Sequence, residues 1–180
     1  MEVSDEQLML DYGGGDAAAF EVLYRKHRGG LFRYVLRGVR ERRLAEELFQ
    51  EVWLKVIEAR GRYAPQAKFT TWLYAIAHNR LIDHFRSSGL RSAETMTEEL
   101  PDPPARAAEQ PEQKAAFREQ GARLVAELEA MPLVQREAFV LHEEAGLSVP
   151  EIAAITGTDM EAAKSRLRYS VAKLREALKD

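Results

Sequence analysis

Apolar residues recur along this chain at helical spacing and nowhere alternate in a strand-like way. The stretch "RRLAEELFQEVWLKVIEAR" is the clearest case. Leu44, Leu48, Val52 and Val56 follow one another at four-residue steps, with Ala45, Phe49 and Trp53 beside them. Such a stripe covers one face of an α-helix. No alternating β-branched run and no Asn-Gly or Asp-Gly turn interrupts the pattern, so it predicts an all-α fold. Ser4 with Gln7 reads as a capping box, and Asp16 as the start of "AAAFEVLYRKH". Gly29-Gly30 weakens that helix before "LFRYVLRGV" resumes it. Gly61 ends the helix over 43–60, and "GRYAPQAKF" reads as a loop. Thr70 or Thr71 is the expected cap of the next helix, which runs to about Ser88.

The pattern then breaks. Residues 89–112 hold four of the seven prolines and no aromatic residue, which predicts a flexible acidic linker. Helices resume near Gln113. Pro132 suits a first turn, Gly146 a stop, and Ser148 with Glu151 a second capping box. A short helix ends at Gly157, and a long one spans about Asp159 to Leu178. The expectation is two small helical domains, 1–88 and 113–180, joined by the 89–112 linker.

A short helix, a turn and a long basic helix make a helix-turn-helix pattern. Winding the last helix at about 100° per residue puts Ala163, Leu167, Ser170, Val171 and Leu174 on one side. Ser165, Arg168, Tyr169 and Ala172 fall opposite, with Lys164 and Arg175 on one edge and Arg166 and Lys173 on the other. Edge cations suit phosphates, and short or planar polar groups between them suit base edges. A helical hairpin with a solvated basic face has the same pattern.

The helix over 71–86 is two-sided as well. Leu73, Tyr74, Ala77, Leu81 and Phe85 form an apolar arc, and Trp72, Asn79, Asp83 and Arg86 lie opposite. Tyr63, Lys68 and Phe69 stand in the loop just before it. Rings, an amide and cations on one surface are the parts of a single-strand binder. Trp72 packed against the preceding helix is the competing arrangement. On the 43–60 helix, Glu46, Glu47, Gln50 and Glu51 surround Leu54, either to grip a basic partner helix or as a solvated acidic face.

Composition narrows the picture. With no cysteine there are no disulfides and no thiolate zinc sites, and the four histidines lack ligand spacing, so no metal is expected. No long apolar run predicts a membrane span, and "MEVSDEQLML" is unlike a secretory signal, which points to the cytoplasm. No nucleophile–base pair or Gly-rich phosphate loop predicts an enzyme or a cofactor. The net charge of −3 is unusual for an autonomous DNA binder, but it is uneven. Residues 1–86 hold 14 basic and 12 acidic groups, while 87–114 hold 3 and 6.

Taken in order, "AEELFQEVWLKV", "FTTWLYAIAHNRLIDHF", an acidic linker and "MPLVQREAFVLHEEAGLSVPEIAAITG…AKSRLRYSVAKLREAL" resemble the extracytoplasmic-function sigma factors of bacterial RNA polymerase. The resemblance implies that 1–88 is a region 2 domain that binds core polymerase and opens the −10 element. It implies that 113–180 is a region 4 domain that reads the −35 element. Glu47, Leu48, Gln50 and Glu51 would dock on the clamp helices of the β′ subunit, with the β subunit a further contact. Residues 61–69 match the loop that captures a flipped base, placing Tyr63, Lys68, Phe69, Trp72, Asn79, Asp83 and Arg86 on −10 DNA. Lys164, Ser165, Arg166 and Arg168 take recognition-helix positions, with Tyr169 and Lys173 on the same −35 surface. An anti-sigma factor is a further implied partner.

The chain departs from the family at several places. Leu44-Ala45-Glu46-Glu47 stands where Asp-Ala-Glu-Asp is common, and Glu161-Ala162-Ala163 where Gly-Thr-Val is usual. The basic run after the −10 helix shrinks to "RSSGLRS". A stand-alone helix-turn-helix regulator is the alternative function. It needs neither the Trp72/Asn79 surface nor the Gln50 cluster.

Overall fold

The N-terminal cap of the fourth helix comes from another helix. The computed structural model describes residues 3–89 and 112–179, with 112–118 as backbone only. In chain order the helices are α1 (Asp5–Gly13), α2 (Ala17–Val39), α3 (Arg42–Ala59), α4 (Phe69–Ser87), α5 (Glu112–Ala130), α6 (Leu133–Ala145), α7 (Val149–Thr156) and α8 (Met160–Ala177). A short 3-10 turn, Arg60–Arg62, follows α3. The linker expected over 89–112 lies, but for its two end residues, outside the described residues.

Helix α4 begins at Phe69, before either threonine expected to cap it, and Lys68 at its N-cap makes no side-chain cap bond. Glu6 of α1 accepts the Phe69 backbone N–H at 2.7 Å instead. That bond satisfies a donor the helix itself leaves unpaired. It also holds the Glu6 carboxyl below its ordinary value. Elsewhere the caps are local. Ser4 accepts the Gln7 N–H at 3.2 Å, but the Gln7 amide turns to Asp11, so only half of the expected box forms. Asp16 and Asp159 accept the Ala18 and Ala162 N–H groups. Ser148 and Glu151 form the full box at α7.

Helix α2 runs unbroken through Gly29-Gly30. The reason is packing. A Cβ on Gly30 would stand 2.9 Å from the Tyr74 hydroxyl and 3.3 Å from the Glu144 carbonyl, so glycine there admits two neighbours. Its C-cap is Arg40 in the left-handed region (φ 61°), a place where glycine is the usual choice.

The apolar arc predicted for α4 is the core of the first half: Leu73, Tyr74, Ala77, Leu81 and Phe85 are all buried. The predicted inner side of α8 is likewise inward, with Ala163, Ser170 and Leu174 buried. The two halves then pack on each other, α6 against α2 and α4, and α7 against α4. Gly38 and Leu81 meet Leu133 and Val140 around a small void at this junction. Glu137 of α6 is its polar centre. Its Oε1 accepts the Tyr34 hydroxyl at 2.6 Å and lies 2.7 Å from His78 Nδ1. Arg136 beside it is 2% exposed, and burial, reinforced by Arg40, lowers its pKa to about 10.

Replacing Glu6 by alanine removes the distant cap of α4 and should cost about 1 kcal/mol, about 2–4 °C in Tm for a chain of this size. Because the folded pKa is lowered, this stabilisation is present above the ordinary carboxylate range and fades as pH falls through the lowered value. Thermal melts of the two proteins should therefore converge in acid.

Candidate nucleic-acid interface

The loop between α3 and α4 stands away from the helices and leaves a cleft of about 450 Å³. Its walls come from the loop (Arg62, Tyr63, Ala64, Gln66, Ala67) and from the first turns of α4 (Thr71, Trp72, Ala75). The volume lies within the ~300–1,000 Å³ usual for small-molecule sites. Trp72 is half-buried. It meets Tyr63 edge-on, with ring centroids 5.0 Å apart and planes at 68°, and Phe69 at 5.9 Å. The indole is thus held by two rings and, with Tyr63, lines the cleft. The Tyr63 hydroxyl is buried without a protein partner, and burial raises its pKa.

Phe69 is fully buried and Leu48 is 2% exposed. Both were expected at binding surfaces, and both belong to the core. Phe69 opens α4 against His27 and Trp72, and Leu48 lies on the apolar stripe of α3. Each acts on a surface only through what it supports. Asn79, Asp83 and Arg86 are exposed on the outward side of α4, beyond Ala75, the last α4 residue to line the cleft. Lys68 is exposed at the loop's end, its Nζ 3.2 Å from Glu151 of α7.

On α3, Glu47 and Gln50 are exposed and Glu51 is half-buried. Glu47 is paired within the helix to Arg43 at 3.4 Å, and Glu51 is bound by Arg80 of α4. Leu54 is 56% exposed in their midst. The result is a compact acidic and amide surface with an apolar centre.

In the second half, Gly157 in the left-handed region (φ 64°) turns the chain from α7 into α8. Lys164, Ser165, Arg168, Tyr169 and Lys173 are exposed along α8, and Arg166 is half-buried at the edge. Ser170, fully buried, donates to the Arg166 and Leu167 carbonyls at 2.8 and 2.9 Å. The inner side therefore carries no unpaired hydroxyl, and the outer side keeps its cations free of the core.

Sequence reasoning included Arg62 and Gln66 only within the 61–69 loop, without singling them out, and missed Thr71 and Ala75 as cleft residues. Three are polar, but none belongs to a periodic pattern, and only their place in or beside the 61–69 loop marked them. It also missed the His78–Glu137 contact, because its partners lie 59 residues apart.

An aromatic-walled cleft on one half and a cation-edged helix-turn-helix on the other are the two surfaces with the chemistry to meet nucleic acid. Comparison with known proteins gives the family. Sigma-70 region 2 matches residues 23–91, and Sigma-70 region 4 matches residues 122–174. RNA polymerase sigma factor CarQ of Myxococcus xanthus is 34% identical over 170 residues, covering 94% of this chain and 95% of that protein. ECF RNA polymerase sigma factor SigE of Mycolicibacterium smegmatis is 32% identical over 185 residues, covering 99% and 70%. Two solved structures share the fold. CnrH in complex with the cytosolic domain of CnrY has a TM-score of 0.67 at 23% identity, with 97% of each chain covered. RpoE in complex with the anti-sigma factor NepR from Bartonella quintana has a TM-score of 0.67 at 21% identity, covering 89% and 96%. The chain belongs to the extracytoplasmic-function sigma factors of bacterial RNA polymerase. It is a promoter-recognition subunit. Among the described residues, no helix is long and apolar enough to cross a membrane.

Phe69 and Trp72 should separate on mutation. Phe69→Ala removes a buried ring and should cost about 3–5 kcal/mol in chemical denaturation. Trp72→Ala, half-exposed, should cost clearly less while weakening single-strand DNA binding by about 1–3 kcal/mol. Fluorescence anisotropy and denaturant melts of both variants check this.

Proposed function

We propose that the cleft beside Trp72 takes a base unstacked from the −10 element, while α8 reads the −35 duplex and α3 docks the factor on core polymerase. The cleft carries this reading: an aromatic-walled space of about 450 Å³ with polar groups at its rim suits a flipped base. Tyr63 and Trp72 supply the wall, Gln66 and Thr71 the polar rim, and Lys68 a cation for the strand. Asn79, Asp83 and Arg86 extend the surface along α4. An amide such as Asn79 can hydrogen-bond a base edge, and Arg86 can meet phosphate. Glu47, Gln50 and Glu51 around Leu54 form the face for the β′ clamp helices, and the β subunit completes the contact with polymerase. Lys164, Ser165, Arg166, Arg168, Tyr169 and Lys173 form the −35 surface.

The net charge of −3 fits this division of labour. Polymerase contributes much of the nonspecific phosphate contact, so the factor need not be basic overall. It works in the cytoplasm, without catalysis of its own and without a cofactor. An anti-sigma factor is proposed as a further partner, in line with the complexes of CnrH and RpoE.

Run-off transcription on genomic promoter fragments tests the assignment. Added to sigma-free core polymerase, the protein should give discrete transcripts, and Asn79→Ala should reduce promoter opening at least tenfold while core binding stays intact. Tight promoter binding by the protein alone, with no transcript on adding core, would overturn it. Arg168→Ala should weaken −35 duplex binding by about 1–3 kcal/mol, with relaxed discrimination at one position if the side chain meets a base, or with a salt slope reduced by about 1 if it meets a phosphate. Titrations at two salt concentrations separate these cases.

A further inference from the structure

The cleft loop is attached to one helix, α1, at both of its ends. At the far end, Glu6 accepts the Phe69 backbone N–H at 2.7 Å. At the near end, a Cβ on Gly13 would stand 2.7 Å from the Arg60 carbonyl oxygen. Backbone meets backbone there, so a side chain on residue 13 would force a shift. Nothing else calls for glycine at this position, because Gly13 closes a helix and its backbone is not left-handed. Tyr12 adds a second hold on the near end. The Arg60 guanidinium lies 5.4 Å from its ring centroid, with Nη1 3.3 Å from its hydroxyl.

Glu6, Met9 and Gly13 stand three and then four residues apart, which puts them on one side of α1. Met9 is fully buried and roots that side in the core. Seven residues of helix rise about 10 Å, so one rigid face carries both attachment points at a fixed separation. The helix is itself fastened to α2. The Asp5 carboxylate lies 2.8 Å from Lys26 Nζ and 2.7 Å from His27 Nε2, and the His27 ring packs on Phe69 at 5.3 Å. Between the two ends, the Gln66 N–H donates to the Ala64 carbonyl at 2.8 Å, a turn that ties the loop only to itself. No residue of α1 lines the cleft, yet both ends of its loop wall rest on α1.

We propose that α1 is a brace for base capture, in which Glu6 and Gly13 are positioning residues that hold the two ends of the loop and so set the cleft lined by Tyr63, Gln66 and Trp72. This rests on the cleft being the −10 site. The gain is preorganisation: a loop fixed at both ends loses less freedom when a base enters.

Two readouts on the full-length protein test it. Hydrogen exchange over residues 60–69 reports the brace without DNA. Permanganate reactivity of unpaired thymines reports opening by polymerase reconstituted with each variant, on a promoter that gives a run-off transcript. Glu6→Ala should speed exchange about fivefold, and it should reduce opening about tenfold with core binding unchanged. Glu6→Gln keeps an acceptor for the Phe69 N–H and should restore both. Alanine is the better helix former, yet Gly13→Ala should lose opening as Glu6→Ala does, because it pushes Arg60 away. Asp16→Ala removes the local cap of α2, a comparable loss of stability, and should leave both readouts at the parent level. Exchange indifferent to Glu6→Ala and Gly13→Ala, or equal losses in Asp16→Ala, would overturn the brace. A loosened loop with normal opening would overturn it too, and Trp72→Ala then says what else falls. If Trp72→Ala reduces opening, the cleft stands without the brace. If it does not, the cleft is removed as the −10 site and the positioning role goes with it.

Discussion

Helix α4 has to serve the core, the outward surface and the second domain with one perimeter, and much of the molecule follows from how it does so. Leu73, Tyr74, Ala77, Leu81 and Phe85 bury the side facing α2 and α3. Trp72, Asn79, Asp83 and Arg86 stay on the outward side, and Thr71 and His78 meet the second domain. A helix with so little spare perimeter needs a fixed rotation. Two contacts supply it at the N-terminus: the Glu6 carboxylate on the Phe69 N–H, and the Phe69 ring buried beside His27, Tyr63 and Trp72. Rotating α4 by one residue would carry Trp72 into the core and close the cleft. The aromatic cluster that looks like binding chemistry is therefore also the bearing on which the helix is set.

That dual use explains what was legible in the sequence. Periodicity was enough for Leu73, Tyr74, Ala77, Leu81 and Phe85 on α4 and for the inner side of α8, because burial of apolar side chains drives folding most strongly and repeats at a fixed helical interval. The surface positions expected for Phe69 and Leu48 are instead core positions, for different reasons. Phe69 is the first residue of α4, where no repeat yet exists to say which way a ring points. Leu48 lay on the predicted stripe of α3, and the family motif drew it outward against that pattern. Caps were legible when local, as at Asp16 and Ser148, and invisible when supplied from 63 residues away, as at Phe69. The cleft itself follows from a loop path that no residue pattern encodes. Trp72 packs not on the preceding helix but on Tyr63 of the loop and Phe69 of its own helix, and it also lines the cleft.

The contact between the halves has a composition suited to being broken. Gly38, Leu81, Leu133 and Val140 meet around a small void in its apolar part. Around it stand carboxylate contacts to Arg33, Lys68, His78 and Tyr34. Exposed ion pairs contribute about 0–1 kcal/mol each, because water and salt compete for the same groups. Arg33 and Lys68 are more than half exposed, so on opening they exchange a carboxylate for water or phosphate at little cost. Glu137 differs. It is nearly buried with His78, and separating the halves exposes both groups at once rather than stranding one. Removing one partner of a buried pair is costly, whereas releasing both to water is not. A large apolar interface in the same place would leave an exposed patch on each domain whenever the factor opened, and would favour aggregation.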